Sequence, residues 1–264
     1  RLLFASRWLM APFYLGLIAL KQARWLDAVD ILQQAAERSG RRAAALHNLA
    51  FAFEQLGRLA EAEAAYSEAA GKAREDPRIM LGWGVTALKR NDTEVAVSRL
   101  QRAGELWGDR PRPATWYWAM SLAVACQGDL NQALDVAAQG VSVHEHSAVL
   151  RNNLAVLQEL GGDLGTAEGL LREALAEDPT LPQVSKNLGD LLYRAGRYED
   201  AFEAYERAAK LNPDLGDDLY FKMGNIAFKR RDRERARTCW KRVTELNPSH
   251  QLARANLDTL DGPA

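Results

Sequence analysis

His144 and His146 flank Glu145 in a polar stretch between apolar runs, and two nearby imidazoles can begin a zinc site. No third ligand stands at a matching spacing, so the pair reads as solvated loop histidines. Gly82-Trp83-Gly84 is half of a dinucleotide-type glycine motif, but it lies inside a helical pattern where a phosphate loop cannot form. Both glycines read as packing positions. Gly161-Gly162 marks a turn between helices. Cys126 and Cys239 lack a nearby partner that would make a thiolate, and read as core or surface thiols. The run Lys229-Arg230-Arg231 with Arg233, Arg235 and Arg237 carries enough positive charge to grip phosphates. Acidic residues close by and the lack of interleaved aromatics make it a solvated basic face instead.

No glycine-rich phosphate loop, nucleophile elbow or zinc-protease motif accompanies these residues. The expectation is therefore a protein without catalysis, cofactor or metal. A net charge of −1 argues against general binding to nucleic acid or a membrane surface. The charge is uneven: residues 1–42 hold seven Lys/Arg against three Asp/Glu, and residues 217–250 nine against five, leaving the middle acidic. The 47% apolar content suits a folded, core-bearing chain. Two cysteines in separate helices do not make a disulfide framework, and they allow a reducing compartment.

The elements that would position a site are helical hairpins. Residues 183–213 read as two amphipathic helices joined by a turn at Ala195-Gly196-Arg197, with Leu188, Leu191 and Leu192 on one stripe. The second helix carries Ala201, Tyr205, Ala208 and Leu211 on its stripe and stops at Asn212-Pro213. Gly189 and Ala201 are small where the helices must cross. Such a hairpin cannot bury its apolar face alone and needs neighbours of its own kind.

Ala201 recurs as a marker at Ala28, Ala62, Ala96, Ala133, Ala167 and Ala236. Most steps are 34 residues; one is longer by three, through Arg110-Pro111-Arg112-Pro113, and one is longer by one, near Gly216. Twelve residues before each marker stands a small residue: Gly16, Ala50, Gly84, Ser121, Ala155, Gly189 and Gly224. Just before it stands a large one: Leu15, Leu49, Trp83, Met120, Leu154, Leu188 and Met223. Ala137 fills a position that is bulky in other repeats. The proline-containing insert should be extended, since proline disfavours helix in the residue before it.

This pattern resembles the tetratricopeptide repeat (TPR) family over residues 9–250, with closing pairs Asp178-Pro179, Asn212-Pro213 and Asn247-Pro248. The resemblance implies an all-α, right-handed helical solenoid of about seven helix-turn-helix repeats, starting near 9, 43, 77, 114, 148, 182 and 217. Residues 1–8 form an apolar extension, and residues 251–264 a capping helix and tail. In this family the first helices of successive repeats line a concave groove that binds partner peptides. Carried over by register, groove positions are Phe13, Leu17, His47, Phe51, Leu81, Val85, Trp118, Leu122, Asn152, Val156, Lys186, Asp190, Arg194, Phe221, Asn225 and Lys229. The first part of that series is apolar and aromatic, the last part polar, which suits a peptide with a hydrophobic half and a charged half. Trp118 is the best anchor, since large aromatics dominate interface energetics. Some family members clamp a terminal carboxylate; Asn187, Lys186 and Lys222 fall near such positions, but Phe51, Val85 and Val156 leave the clamp incomplete.

The functional expectation is a scaffold binding a protein or peptide partner and no nucleic acid. The alternatives are a membrane-anchored assembly factor with the same groove, or a regulatory or targeting segment of a larger enzyme. The chain does not begin with Met and reads as a fragment or processed product. Residues 2–20 are apolar except for Ser6 and Arg7 and approach the length of a membrane span. Within them, residues 5–17 resemble the first membrane segment of a small family of uncharacterised bacterial inner-membrane proteins. Leu15, Gly16, Ala28 and Ala35 nevertheless keep the repeat register. The segment is thus either a first TPR helix, whose open side invites self-association, or a membrane anchor. The corresponding location is the cytoplasm, or a membrane surface in the second case.

Overall fold

Each hairpin whose turn lies among the described residues is closed by the same backbone device. At the turn one residue adopts a left-handed conformation: Gly57, Asn91, Gly128, Gly162, Gly196 or Arg231, with φ from +62° to +93°. The N–H of the following residue then bonds a carbonyl five residues back, as Arg58 N–H does to Phe53 (2.9 Å), Arg197 to Leu192 (2.9 Å) and Asp232 to Ala227 (3.0 Å). This satisfies carbonyls that a helix end leaves free. The second helix opens in one of two ways. Asp92, Asp129, Asp163 and Asp232 accept a backbone N–H three residues on. Arg58 and Arg197 instead pair with Glu61 and Asp200 one turn later.

The computed structural model describes residues 24–73 and 75–261. Among them are fourteen helices and no strand. They are α1 (Trp25–Arg38), α2 (Ala43–Gln55), α3 (Leu59–Lys72), α4 (Pro77–Lys89), α5 (Thr93–Trp107), α6 (Ala114–Cys126), α7 (Leu130–Val143), α8 (Ala148–Leu160), α9 (Leu164–Glu177), α10 (Pro182–Arg194), α11 (Tyr198–Leu211), α12 (Asp217–Lys229), α13 (Arg233–Leu246) and α14 (Gln251–Asp261). They fall into two compact units, one ending at Val143 and one beginning at His144. Within each unit every helix packs on the next, and first helices also touch: α2 with α4, α4 with α6, α8 with α10.

The marker alanines explain the spacing. All seven are 0% exposed, and six of them lie on the second helix of a hairpin whose two helices are both described and packed together. The small residue of the first helix faces a bulky one of the second. A Cβ on Gly84 would meet Leu100 at 2.7 Å, one on Gly189 would meet Tyr205 at 2.6 Å, and one on Gly224 would meet Trp240 at 2.4 Å. Gly82 lies against Tyr66 of the preceding hairpin, so both glycines of Gly82-Trp83-Gly84 are packing positions.

Polar bonds tie neighbouring hairpins together. Glu54, 6% exposed, accepts from Thr86 Oγ1 at 3.2 Å and Lys89 Nζ at 2.7 Å. The proline insert is extended at Pro113, and Arg112 stacks 4.7 Å over the Trp116 ring, whose indole donates to the Leu100 carbonyl (2.7 Å). Asp178, Asn212 and Asn247 each accept the N–H two residues on, turning the chain after the second helix. Helix α14 packs on α13 and buries Ala253 and Leu260. The alternatives for residues 2–20, with Phe13 and Leu17, lie outside the described residues. No described helix is long and apolar enough to cross a membrane.

Candidate functional site

Residues fifteen, eleven and seven places before each marker alanine share one face of the first helix, being four apart. Fifteen back stand His47, Leu81, Trp118, Asn152, Lys186 and Phe221, all half-buried. Seven back stand Gln55, Lys89, Cys126, Leu160, Arg194 and Lys229, all exposed. The face therefore has a floor and a rim. Eleven back the six differ: Phe51 is 38% and Val156 41% exposed, while Val85 is only 7% exposed. Val85 is thus a core residue and offers a partner almost no surface.

In the first unit the middle of this face is largely apolar, between His47 on the floor and Gln55 and Lys89 on the rim. Phe51 stands edge-on to Trp25, with ring centroids 5.9 Å apart. Leu81, Trp118 and Leu122 are half-buried on α4 and α6. His47 packs edge-on to Tyr66 at 5.7 Å, and its Nδ1 is buried with no hydrogen-bond partner among the described residues. Burial pulls the His47 pKa below its usual value; Asp76 acts against that and Arg78 with it.

In the second unit the face is a charge lattice. Lys186 Nζ lies 2.8 Å from Asp218 and 3.2 Å from Asp190; Lys222 Nζ lies 2.5 Å from Asp190 and 3.6 Å from Asp218. The Tyr205 hydroxyl donates to Asp190 Oδ1 at 2.7 Å. Burial alone would lower the Lys186 pKa, but Asp218 and Asp190 outweigh it and the net shift is upward. For Asp218 burial pushes up, and Lys186 and Lys222 carry it below the usual aspartate value. Asn187 Nδ2 donates to Asn152 Oδ1 (2.8 Å), and Asn187 Oδ1 accepts from Gln183 Nε2 (2.8 Å). Arg194 pairs with Glu159. Asn225 accepts the Trp240 indole N–H at 3.2 Å. Lys229 lies 3.9 Å from the Tyr198 ring centroid and hydrogen-bonds its hydroxyl, which raises the Lys229 pKa.

The basic run has aromatic company after all. Arg230 lies 5.1 Å and Arg235 4.5 Å from the Phe202 ring, a residue of the preceding hairpin that nothing in the run itself signals. Arg230, Arg235 and Arg237 also pair with Glu199, Glu206 and Glu234. Cys126 is exposed and Cys239 buried; both are free, and burial pushes the Cys239 thiol up to about 11. His146 Nδ1 lies 3.8 Å from Glu177. Among the described residues no group of three or more His, Cys, Asp or Glu could hold a metal.

A repeated hairpin with fixed small positions and a first-helix face left open is matched by three family profiles, each described as tetratricopeptide repeat. They cover residues 14–77 and 127–182, 182–215, and 218–250. The chain belongs to the tetratricopeptide repeat family. A curated relative, the TPR repeat-containing protein YpiA of Bacillus subtilis, is 25% identical over 193 residues, 72% of this chain and 45% of YpiA. The chain thus spans less than half of that relative's length. Among solved structures, the APC/C hetero-tetramer Cut9–Hcn1 superposes with TM-score 0.74 at 15% identity, over 87% of this chain and 45% of that one. A TPR protein from Parabacteroides merdae gives 0.70 at 18% identity, over 96% and 99%. YrrB, a TPR protein with an unusual peptide-binding site, gives 0.50 at 18%, over 72% and 96%. These likenesses concern the fold. Relative to a TPR carboxylate clamp, Lys186 and Lys222 do come together here, but Asp190 and Asp218 neutralise both. An incoming carboxylate would have to displace an aspartate.

Proposed function

We propose that the chain is a non-catalytic scaffold whose first-helix faces bind a segment of a partner protein. The observation that carries this reading is the apolar row of the first unit: exposed Phe51 with half-buried Leu81, Trp118 and Leu122. A row of large side chains that the fold leaves partly open suits an apolar anchor from a partner, and aromatic residues dominate such contacts. Trp118 is half-buried, and its indole N–H gives it a donor for a partner backbone beside its apolar surface. In the second unit Asn152, Val156, Lys186, Asp190, Arg194, Asn225 and Lys229 form a polar face. Most of its charges are already spent on one another, which favours selection among partners over added affinity.

The test is affinity capture from the source cell, identification by mass spectrometry, and calorimetry with the purified partner. Trp118→Ala should weaken binding by about 2 kcal/mol or more while keeping helicity. Unchanged affinity in both Trp118→Ala and Phe51→Ala, with the fold intact, would remove the site from this face.

A further inference from the structure

A cavity of about 330 Å³ lies in the second unit among α10, α12, α13 and α14, lined by Tyr193, Asn225, Phe228, Lys229, Trp240, Asn256 and Thr259. Its walls are aromatic: Phe228 is 45% exposed and its ring lies 5.7 Å from Trp240. The volume accommodates one bulky apolar side chain. The lining contains one cation and no carboxylate. Lys229 makes no ion pair among the described residues; its ammonium rests on Tyr198 at 3.9 Å. In this it differs from Lys186, Lys222 and Arg194, each held by a carboxylate. Arg231, on the turn after Lys229, and Arg233, the first residue of α13, are exposed and make no ion pair among the described residues either. Lys229 is therefore the cation of this lining, and no carboxylate of the lining neutralises it.

We propose that this cavity is a docking site for a partner peptide in which a bulky apolar residue stands next to an aspartate or glutamate. The apolar side chain packs on Phe228 and Tyr193, above Trp240, which at 2% exposure forms only the floor. The neighbouring carboxylate meets the Lys229 ammonium, with the amide groups of Asn225 and Asn256 positioned to donate to the peptide. Asn225 Oδ1 is occupied by the Trp240 indole, which leaves its Nδ2 for the peptide. The proposal rests on the scaffold reading and specifies, for the C-terminal hairpin, what that scaffold selects.

The test is an NMR titration of the isotope-labelled full chain, read at the Trp240 indole N–H. The probes are N-acetylated, C-amidated Gly/Ser peptides carrying Phe–Glu, Phe–Gln or Ala–Glu, with phenylpropionate as a small-molecule comparison. The Phe–Glu peptide should shift the Trp240 signal saturably. Replacing it by Phe–Gln, or using Lys229→Gln, should weaken binding roughly two- to fivefold, as for an exposed charge pair. Ala–Glu, or Phe228→Ala with the original peptide, should weaken it by about fivefold or more. Equal affinity for Phe–Glu and Phe–Gln overturns the carboxylate contact. Shifts confined to the Trp118 face, or no shifts at all, overturn the site. A response to phenylpropionate alone overturns a peptide as occupant. A captured partner that responds to Trp118→Ala and not to Phe228→Ala leaves the scaffold standing and this cavity without its role.

Discussion

Gly189→Ala is a small substitution whose sign the hairpin crossing decides. In an open helix the change stabilises by about 1 kcal/mol, because glycine is the poorer helix former. At this position the added methyl would stand 2.6 Å from Tyr205 Cε1 and 2.7 Å from Cδ1, where carbon atoms prefer about 3.5–4.0 Å. The ring must therefore retreat by about 1 Å. It has nowhere to go, since Tyr205 is 0% exposed and its hydroxyl is held by Asp190 at 2.7 Å. Overpacking of this kind costs about 1–3 kcal/mol, and strain on a hydrogen bond to a charged acceptor can remove about 1.5 kcal/mol more. Set against the propensity gain, the net is a loss of about 1.5–3.5 kcal/mol. Gly169 is the matched control: it is exposed within α9, and a Cβ there meets nothing within 4 Å. Gly169→Ala should stabilise by about 0.5–1 kcal/mol. The assay is urea unfolding of both variants, with hydrogen exchange to localise the change to residues 148–246. Pairing Gly189→Ala with Tyr205→Leu should recover part of the loss. Equal stabilisation by both alanines would refute the crossing argument.

Arg231→Gly should raise the urea midpoint by an amount worth about 1 kcal/mol, since Arg231 adopts φ +62° where the corresponding turns mostly use glycine. For His47 the folded pKa lies below the ordinary 6.5, so the unfolded chain binds more protons. Stability is then full above 6.5 and falls as the pH drops toward the folded value; His47→Phe should flatten urea midpoints measured across that window. Asp218 is held below its ordinary 3.8, so its contribution is present above that value and disappears as the pH falls through the lowered one. Asp218→Asn should therefore make acid unfolding of the second unit less steep, as followed by circular dichroism.

The hairpins were legible because their determinants are local. An alanine and a glycine twelve residues apart meet across one turn, so the crossing that requires both is written within a single repeat. The glycines of Gly82-Trp83-Gly84 could be assigned to packing from their place in a helical stripe, although Tyr66 as the neighbour of Gly82 could not. What escaped lies one repeat away. Lys222 meets Asp190 and Thr86 meets Glu54 at a separation of 32, while Asn187 meets Asn152 and Lys89 meets Glu54 at 35. Complementary residues at those two separations are a signal that a search along one helix face does not see. The same blindness hid Tyr198 and Phe202 from the basic run. Val85 and Val156 share a register position and a residue type, yet one is closed and one open. Their difference belongs to the neighbouring hairpin and is not written at the position itself.

The bonds to Glu54 bear on how the chain folds as it leaves the ribosome. Glu54 is on α2, while Thr86 and Lys89 are on α4, so synthesis delivers the carboxylate a full repeat before its partners. Until then the carboxylate stays in water at no penalty. Docking of α4 is what buries it, and only the native register brings a hydroxyl and an ammonium to its two oxygens. A helix shifted by one residue would enclose an uncompensated charge, at a penalty of several kcal/mol. The buried carboxylate of one hairpin thus penalises a wrong register of the next at their shared contact.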